Sequence, residues 1–90
     1  MSKAAVDPSE LRRFASDLNR FNADLQGLMQ SLKSKLTGLE STWKDQEQRK
    51  FGEAFSQTIR QITLFLPASE EHVKFLNKKA TAIEEYLKIR

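Results

Sequence analysis

Apolar residues recur alternately three and four positions apart in two long runs, separated by one short break around Trp43. The first run is Leu11, Phe14, Leu18, Phe21, Leu25, Leu28, Leu32 and, after a skipped position at Lys35, Leu39. The second is Phe55, Ile59, Ile62, Leu66, Ser69, Val73, Leu76, Ala80, Ile83 and Leu87. A period of 3.5 places each run along one seam of an α-helix, the pattern of helices that pack lengthwise. The pattern predicts an all-α, antiparallel two-helix hairpin occupying residues 1–90 as one domain.

Local signals bound the elements. Asp7-Pro8-Ser9-Glu10 reads as a helix start: an aspartate cap, proline in the first turn and a glutamate to close a capping box. The first helix then runs from about 8 to 39 across Gly27, with Gly38 as a candidate terminator. A turn at 40–45 carries Trp43, and a connection that short makes the helices antiparallel neighbours. Asp45 reads as the second cap, with Gln48 three positions on. The second helix spans about 46–88 with a kink at Pro67, because the seam keeps register through it (Ile62, Leu66, Ser69, Val73). A break near Phe65, giving three helices, is the alternative.

The runs differ in width. The first adds only Ala15, Met29 and Leu36 beside its seam, whereas the second adds Phe51, Phe65 and Tyr86 in one row and Ala68, Phe75, Ala82 and Ile89 further round. At 100° per residue the second arc spans about 160°, against about 100° for facing one neighbour. One antiparallel helix leaves part of that arc bare, so a second surface is expected to pack on another chain, most simply as a four-helix bundle dimer. Phe65, Ala68, Phe75, Ala82, Tyr86 and Ile89 are the candidate interface. Lys35 and Ser69 are the polar seam positions, and register or partner choice competes with plain tolerance as their explanation.

Composition narrows the function classes. A chain of 90 residues without cysteine has no disulfide to support a thin core, and scaffolds of this size usually need a partner, metal or staple. The net charge of +3 comes from interspersed signs, and the densest basic group, Lys74, Lys78 and Lys79, has no interleaved aromatic platform, which argues against nucleic acid. The apolar stretch Ile62–Ala68 is far shorter than the ~20 residues of a spanning helix. The N-terminal Met-Ser-Lys-Ala-Ala-Val-Asp-Pro lacks the apolar core of a signal peptide, so export is expected to use a route without a cleaved leader. His72 is the lone histidine, and Glu70-Glu71 and Glu84-Glu85 point about 100° apart on a helix. They read as solvated charges with partners such as Lys74 and Lys88. No metal ligand set, cofactor loop or catalytic grouping emerges, and no enzyme is expected.

Two long helices and a mid-chain turn tryptophan resemble the WXG-motif family, the early-secreted-antigen-like proteins associated with type VII secretion. The family's turn reads Trp-x-Gly with an aromatic residue eight positions after the tryptophan. Here Trp43-Lys44-Asp45 is followed by Phe51. Asp45 stands where the glycine would be, a mild exchange because both residues cap helices well. Trp43, Asp45 and Phe51 are therefore the motif residues. The resemblance implies dimerisation with a second copy or a paralogous hairpin, secretion without a cleaved signal, and a secretion ATPase or larger toxin as further partners. Exported family members commonly carry a Tyr-x-x-x-Asp/Glu signal supplied by one partner of a pair, but here Tyr86 is followed at that spacing by Arg90, so a partner is expected to supply it if the chain is exported. A cytoplasmic adaptor or chaperone for a larger toxin or secretion component is thus the competing expectation.

Overall fold

The structure is a computed structural model that describes residues 6–89, for Ile89 the backbone only. Helix α1 spans Pro8–Glu40 and helix α2 spans Gln46–Ile89. They form an antiparallel hairpin, a rod of 68 × 18 × 17 Å. The heptad pattern predicts this architecture, and no strand occurs among the described residues.

The helix ends differ in detail from the capping boxes predicted for them. Asp7 Oδ1 accepts from the Ser9 amide at 2.9 Å and from the Ser9 hydroxyl at 2.8 Å, while the Glu10 amide donates to the Asp7 carbonyl. Gly38 does not end α1. The helix continues to Glu40 because the following hydroxyls satisfy its last carbonyls: Ser41 Oγ donates to the Gly38 carbonyl at 2.6 Å and Thr42 Oγ1 to that of Leu39 at 3.2 Å. Asp45 caps α2 by accepting from the Gln48 amide at 3.0 Å. The Gln48 side chain does not return to Asp45; its Nε2 donates to Glu40 Oε2 at 3.0 Å, tying the two helices together beside the turn.

Helix α2 is continuous through Pro67. Proline supplies no amide to the Thr63 carbonyl one turn back. Thr63 turns its own hydroxyl onto the Ile59 carbonyl at 2.9 Å. The helix can absorb the missing bond because Pro67 lies on its exposed side and the seam on either side stays packed.

On α2 the seam is the one the heptads mark: every position from Phe55 to Ile83 is buried or half-buried. On α1 it is not. The residues facing α2 are Leu11, Ala15, Leu18, Asn22, Leu25, Met29 and Leu36, whereas Phe14, Phe21 and Leu28 of the strict run point outward. Helix α1 is therefore rolled by one heptad column, about 50°, from the orientation its strict run suggests. Size is one cause. Ala15, Ser69 and Ala80 are almost wholly buried, and such small side chains allow a close approach of the helices that suits them better than phenylalanine. Lys35 consequently leaves the seam and sits on the outward column, while Ser69 stays inside, its hydroxyl donating to Asn22 Oδ1 at 2.7 Å.

The apolar centre consists of Met29, Ile59 and Leu66, flanked by Leu25, Phe55 and Ile62. Full burial of such a side chain contributes about 1.5–3 kcal/mol. Ordering a residue costs about 1–2 kcal/mol in backbone entropy alone. A core this thin leaves the isolated hairpin marginal.

Candidate functional site

The turn is built from the backbone outward. The Trp43 amide donates to the Leu39 carbonyl at 2.9 Å, which holds the chain against the end of α1 and half-buries the indole. Phe51, one turn into α2, meets that indole with ring centroids 6.0 Å apart. Phe55 stacks on Phe51 at 5.6 Å. Trp43 and Phe51 are thus brought together, with the exposed Asp45 between them as the helix cap. The ladder ends on the inter-helix seam, so the turn aromatics are continuous with the core.

The largest feature of the surface is a single apolar face along one side of the hairpin. Helix α1 contributes Phe14, Phe21 and Leu28, which are 60%, 51% and 64% exposed, together with Leu32 and Leu39. Helix α2 contributes Phe51, Phe65 and Tyr86, also exposed. Phe21 and Phe65 meet edge-to-face at 6.3 Å and join the two halves of the face. Two shallow apolar grooves lie in it, one bordered by Phe21, Leu25, Ile62 and Phe65, the other by Leu32, Leu39, Phe51 and Phe55. Lys35 borders the second groove.

The opposite side is polar. Arg12 makes a bidentate pair with Glu84, Nε to Oε2 at 3.0 Å and Nη2 to Oε1 at 2.7 Å, and also donates to Asn77 Oδ1 and Thr81 Oγ1. Those hydrogen bonds hold the Glu84 carboxyl below its ordinary pKa. Glu84 is thus engaged across the hairpin with Arg12, where an i,i+4 pairing with Lys88 had been expected, and Lys74 pairs with Glu71 at 3.4 Å instead of with Glu70. Among the described residues the polar flank is tied across both ends of the hairpin, while the aromatic side stays exposed.

A family model described as proteins of 100 residues with WXG matches residues 3–86. The chain belongs to the WXG100 family. Solved structures of the secreted protein EsxB from Bacillus anthracis str. Sterne share its fold. The selenomethionine-labelled form is 23% identical with a TM-score of 0.80, over 96% of this chain and 98% of that one. A single-residue mutant is 24% identical with a TM-score of 0.79, over 93% and 97%. The wild-type protein is 24% identical with a TM-score of 0.78, over 91% and 88%. None of the proteins with curated functions matches.

Within this WXG100 chain the sequence-marked interface residues occupy two adjoining columns of α2. Phe65 and Tyr86 lie on the aromatic face beside α1, while Ala68, Phe75 and Ala82 lie one column further round, with Phe75 65% exposed. The side chain of Ile89, and Arg90 with it, fall outside the described residues. Sequence reading missed the contribution of α1: Phe14, Phe21 and Leu28 had been assigned to the intrachain seam. It also missed Asn22, an amide in an otherwise apolar inner column. The available signal was there, since Asn22 stands seven residues from both Ala15 and Met29. No group of three or more metal-ligating side chains occurs among the described residues, and no helix there is long and apolar enough to cross a membrane.

Proposed function

We propose that this protein acts by binding, pairing through the Phe14–Phe21–Leu28 and Phe65–Tyr86 face with a second helical hairpin to form a four-helix bundle. The supporting observation is the continuity of that face: large apolar side chains from both helices stay exposed on one side while the other is polar. Isolated exposed leucines are ordinary, but a contiguous aromatic stripe along a rod marks a contact surface. A second copy of the chain is the simplest occupant. Phe75, Ala68 and Ala82 extend the contact around α2. Sedimentation equilibrium of the purified chain tests this; a monomer throughout the micromolar range removes self-pairing and leaves a paralogous hairpin as the partner.

Membership in the WXG100 family and fold likeness to secreted EsxB support a role as a type VII secretion substrate or effector partner. In this reading Trp43, Asp45 and Phe51 form a recognition element at the bundle end, presented to a secretion ATPase or a larger toxin. A specific observation favours a second reading, a retained cytoplasmic adaptor: Tyr86 is followed at the fourth position by Arg90, not by an acidic residue. Fractionating a host culture separates the two. Protein outside intact cells supports export with the signal supplied by a partner, and strict retention supports the adaptor.

A further inference from the structure

The roll of α1 decides which of its columns meets the partner, and one buried polar contact sits where that choice is made. Asn22 and Ser69 are 4% and 1% exposed, and the Ser69 hydroxyl donates to Asn22 Oδ1 at 2.7 Å. Asn22 Nδ2 is buried with no hydrogen-bond partner. The neighbouring column of α1 is more apolar and bulkier: where the inner column has Ala15, Asn22 and Met29, it has Phe14, Phe21 and Leu28. Turning that column inward would bury more apolar area and bring Asn22 out to water, relieving its unpaired amide, while the close approach of the helices at Ser69 and Ala80 opposes the turn.

We propose that the Asn22–Ser69 hydrogen bond is a roll lock that holds α1 with its phenylalanine column outward, making both residues positioning residues for partner binding. The inference rests on the binding role proposed above. The bond gives the Asn22 carbonyl oxygen an acceptor's role that no other roll of the helix offers inside the seam. Removing the Ser69 hydroxyl orphans the whole carboxamide, and a buried amide with neither end satisfied favours the roll that hydrates it. Phe21 would then occupy the place of Asn22, against Leu66 and position 69, and its edge-to-face contact with Phe65 would be lost. Replacing both partners by apolar groups removes the drive to hydrate, and the close packing at Ala15, Ala80 and position 69 then suffices to keep the native roll.

The test uses Ser69→Ala, which changes volume little, and the double variant Asn22→Leu/Ser69→Ala. The readouts are the nuclear Overhauser contact between the Phe21 and Phe65 rings, which is intramolecular, and self-association of the full chain by sedimentation. Ser69→Ala is expected to keep its helical circular dichroism, to exchange the Phe21–Phe65 contact for one between Phe21 and Leu66, and to associate at least tenfold more weakly. The double variant is expected to recover the Phe21–Phe65 contact and to associate within threefold of the native chain. An unchanged Phe21–Phe65 contact in Ser69→Ala overturns the lock. So does a double variant as altered as the single one. If the native chain does not self-associate but the ring contact responds as described, the lock stands and it is self-pairing that fails.

Discussion

Leu28 and Met29 are consecutive residues with opposite expected roles, which makes them a sharp test of the partner face. Met29 is 8% exposed in the centre of the seam, while Leu28 is 64% exposed on the aromatic side. Truncating a buried methionine to alanine costs about 2–5 kcal/mol of chain stability. About a third of Leu28 is buried within its own chain, and full burial of a leucine contributes about 1.5–3 kcal/mol, so Leu28→Ala should cost the dilute monomer under about 1 kcal/mol. The other two-thirds is available to a partner. If a second copy covers it, each copy loses about 1–2 kcal/mol on truncation, or about 2–4 kcal/mol for a two-fold pair. That corresponds to roughly a 30- to 1000-fold weaker Kd. Urea denaturation at concentrations below association measures the first quantity, and sedimentation equilibrium the second. Met29→Ala should lower the urea midpoint strongly, and Leu28→Ala should weaken association with little change in that midpoint. If Leu28→Ala associates normally and destabilises the dilute chain as much as Met29→Ala, the assignment of inner and outer columns is wrong.

The Asp45 cap gives an independent check on the turn: Asp45→Ala should cost about 1 kcal/mol and Asp45→Gly only a few tenths, because glycine is itself a good cap. For a chain of this length the alanine variant should melt roughly 4–8 °C lower, read by circular dichroism. The Arg12–Glu84 pair makes stability depend on acid. Hydrogen bonds from Arg12, followed in importance by its charge, lower the Glu84 pKa from its ordinary 4.5. A carboxyl depressed on folding stabilises fully above its unfolded value and loses that contribution as pH falls through the lower folded one. The native chain should therefore exceed Glu84→Gln in stability at neutral pH, with the gap closing below pH 4.5 in thermal melts; a gap that persists in acid would refute the pairing. Pro67→Ala should return an amide donor to the Thr63 carbonyl and raise the unfolding free energy by about 1–3 kcal/mol, read as a higher midpoint in urea denaturation.

How far the sequence was legible differs between the two helices. On α2 the heptads identified the inner face correctly, because the positions flanking the seam on one side, Thr63, Glu70, Asn77 and Glu84, are polar and leave no doubt about its edge. Trp43 and Phe51 were marked together by the resemblance to the family's turn motif, and their rings meet at 6.0 Å. On α1 two adjacent columns are both acceptable as a core. One holds Phe14, Phe21 and Leu28, and the other holds Ala15, Asn22, Met29 and Leu36. Apolar counting prefers the first. What overrules it is non-local: Ser69 and Ala80, 47 residues and more along the chain, set how closely the helices approach and offer Asn22 a partner. The local end-capping signals were right about Asp7 and Asp45 but silent about Ser41 and Thr42, whose hydroxyls bond back to carbonyls, and they set Gln48 with Asp45 where its side chain bonds Glu40 across the turn.

The roll of α1 also bears on why so small a chain exposes so much. Turned the other way, the hairpin would bury Phe14, Phe21 and Leu28 within itself and expose Asn22, a better arrangement for a chain that works alone. Close packing at Ala15, Ala80 and Ser69 opposes it, and the larger side chains remain on the side where Phe65 and Tyr86 already stand. The result is two faces of unlike character on one thin rod: a polar flank fastened by Arg12 and Glu84 at the open end and by Gln48 and Glu40 at the turn, and an aromatic flank that none of the described residues covers. A core centred on Met29, Ile59 and Leu66 is too slender to offset the ordering of two long helices with much to spare. If a second copy covers the aromatic flank as proposed, stability and binding share one contact, and the hairpin's folding should strengthen with concentration.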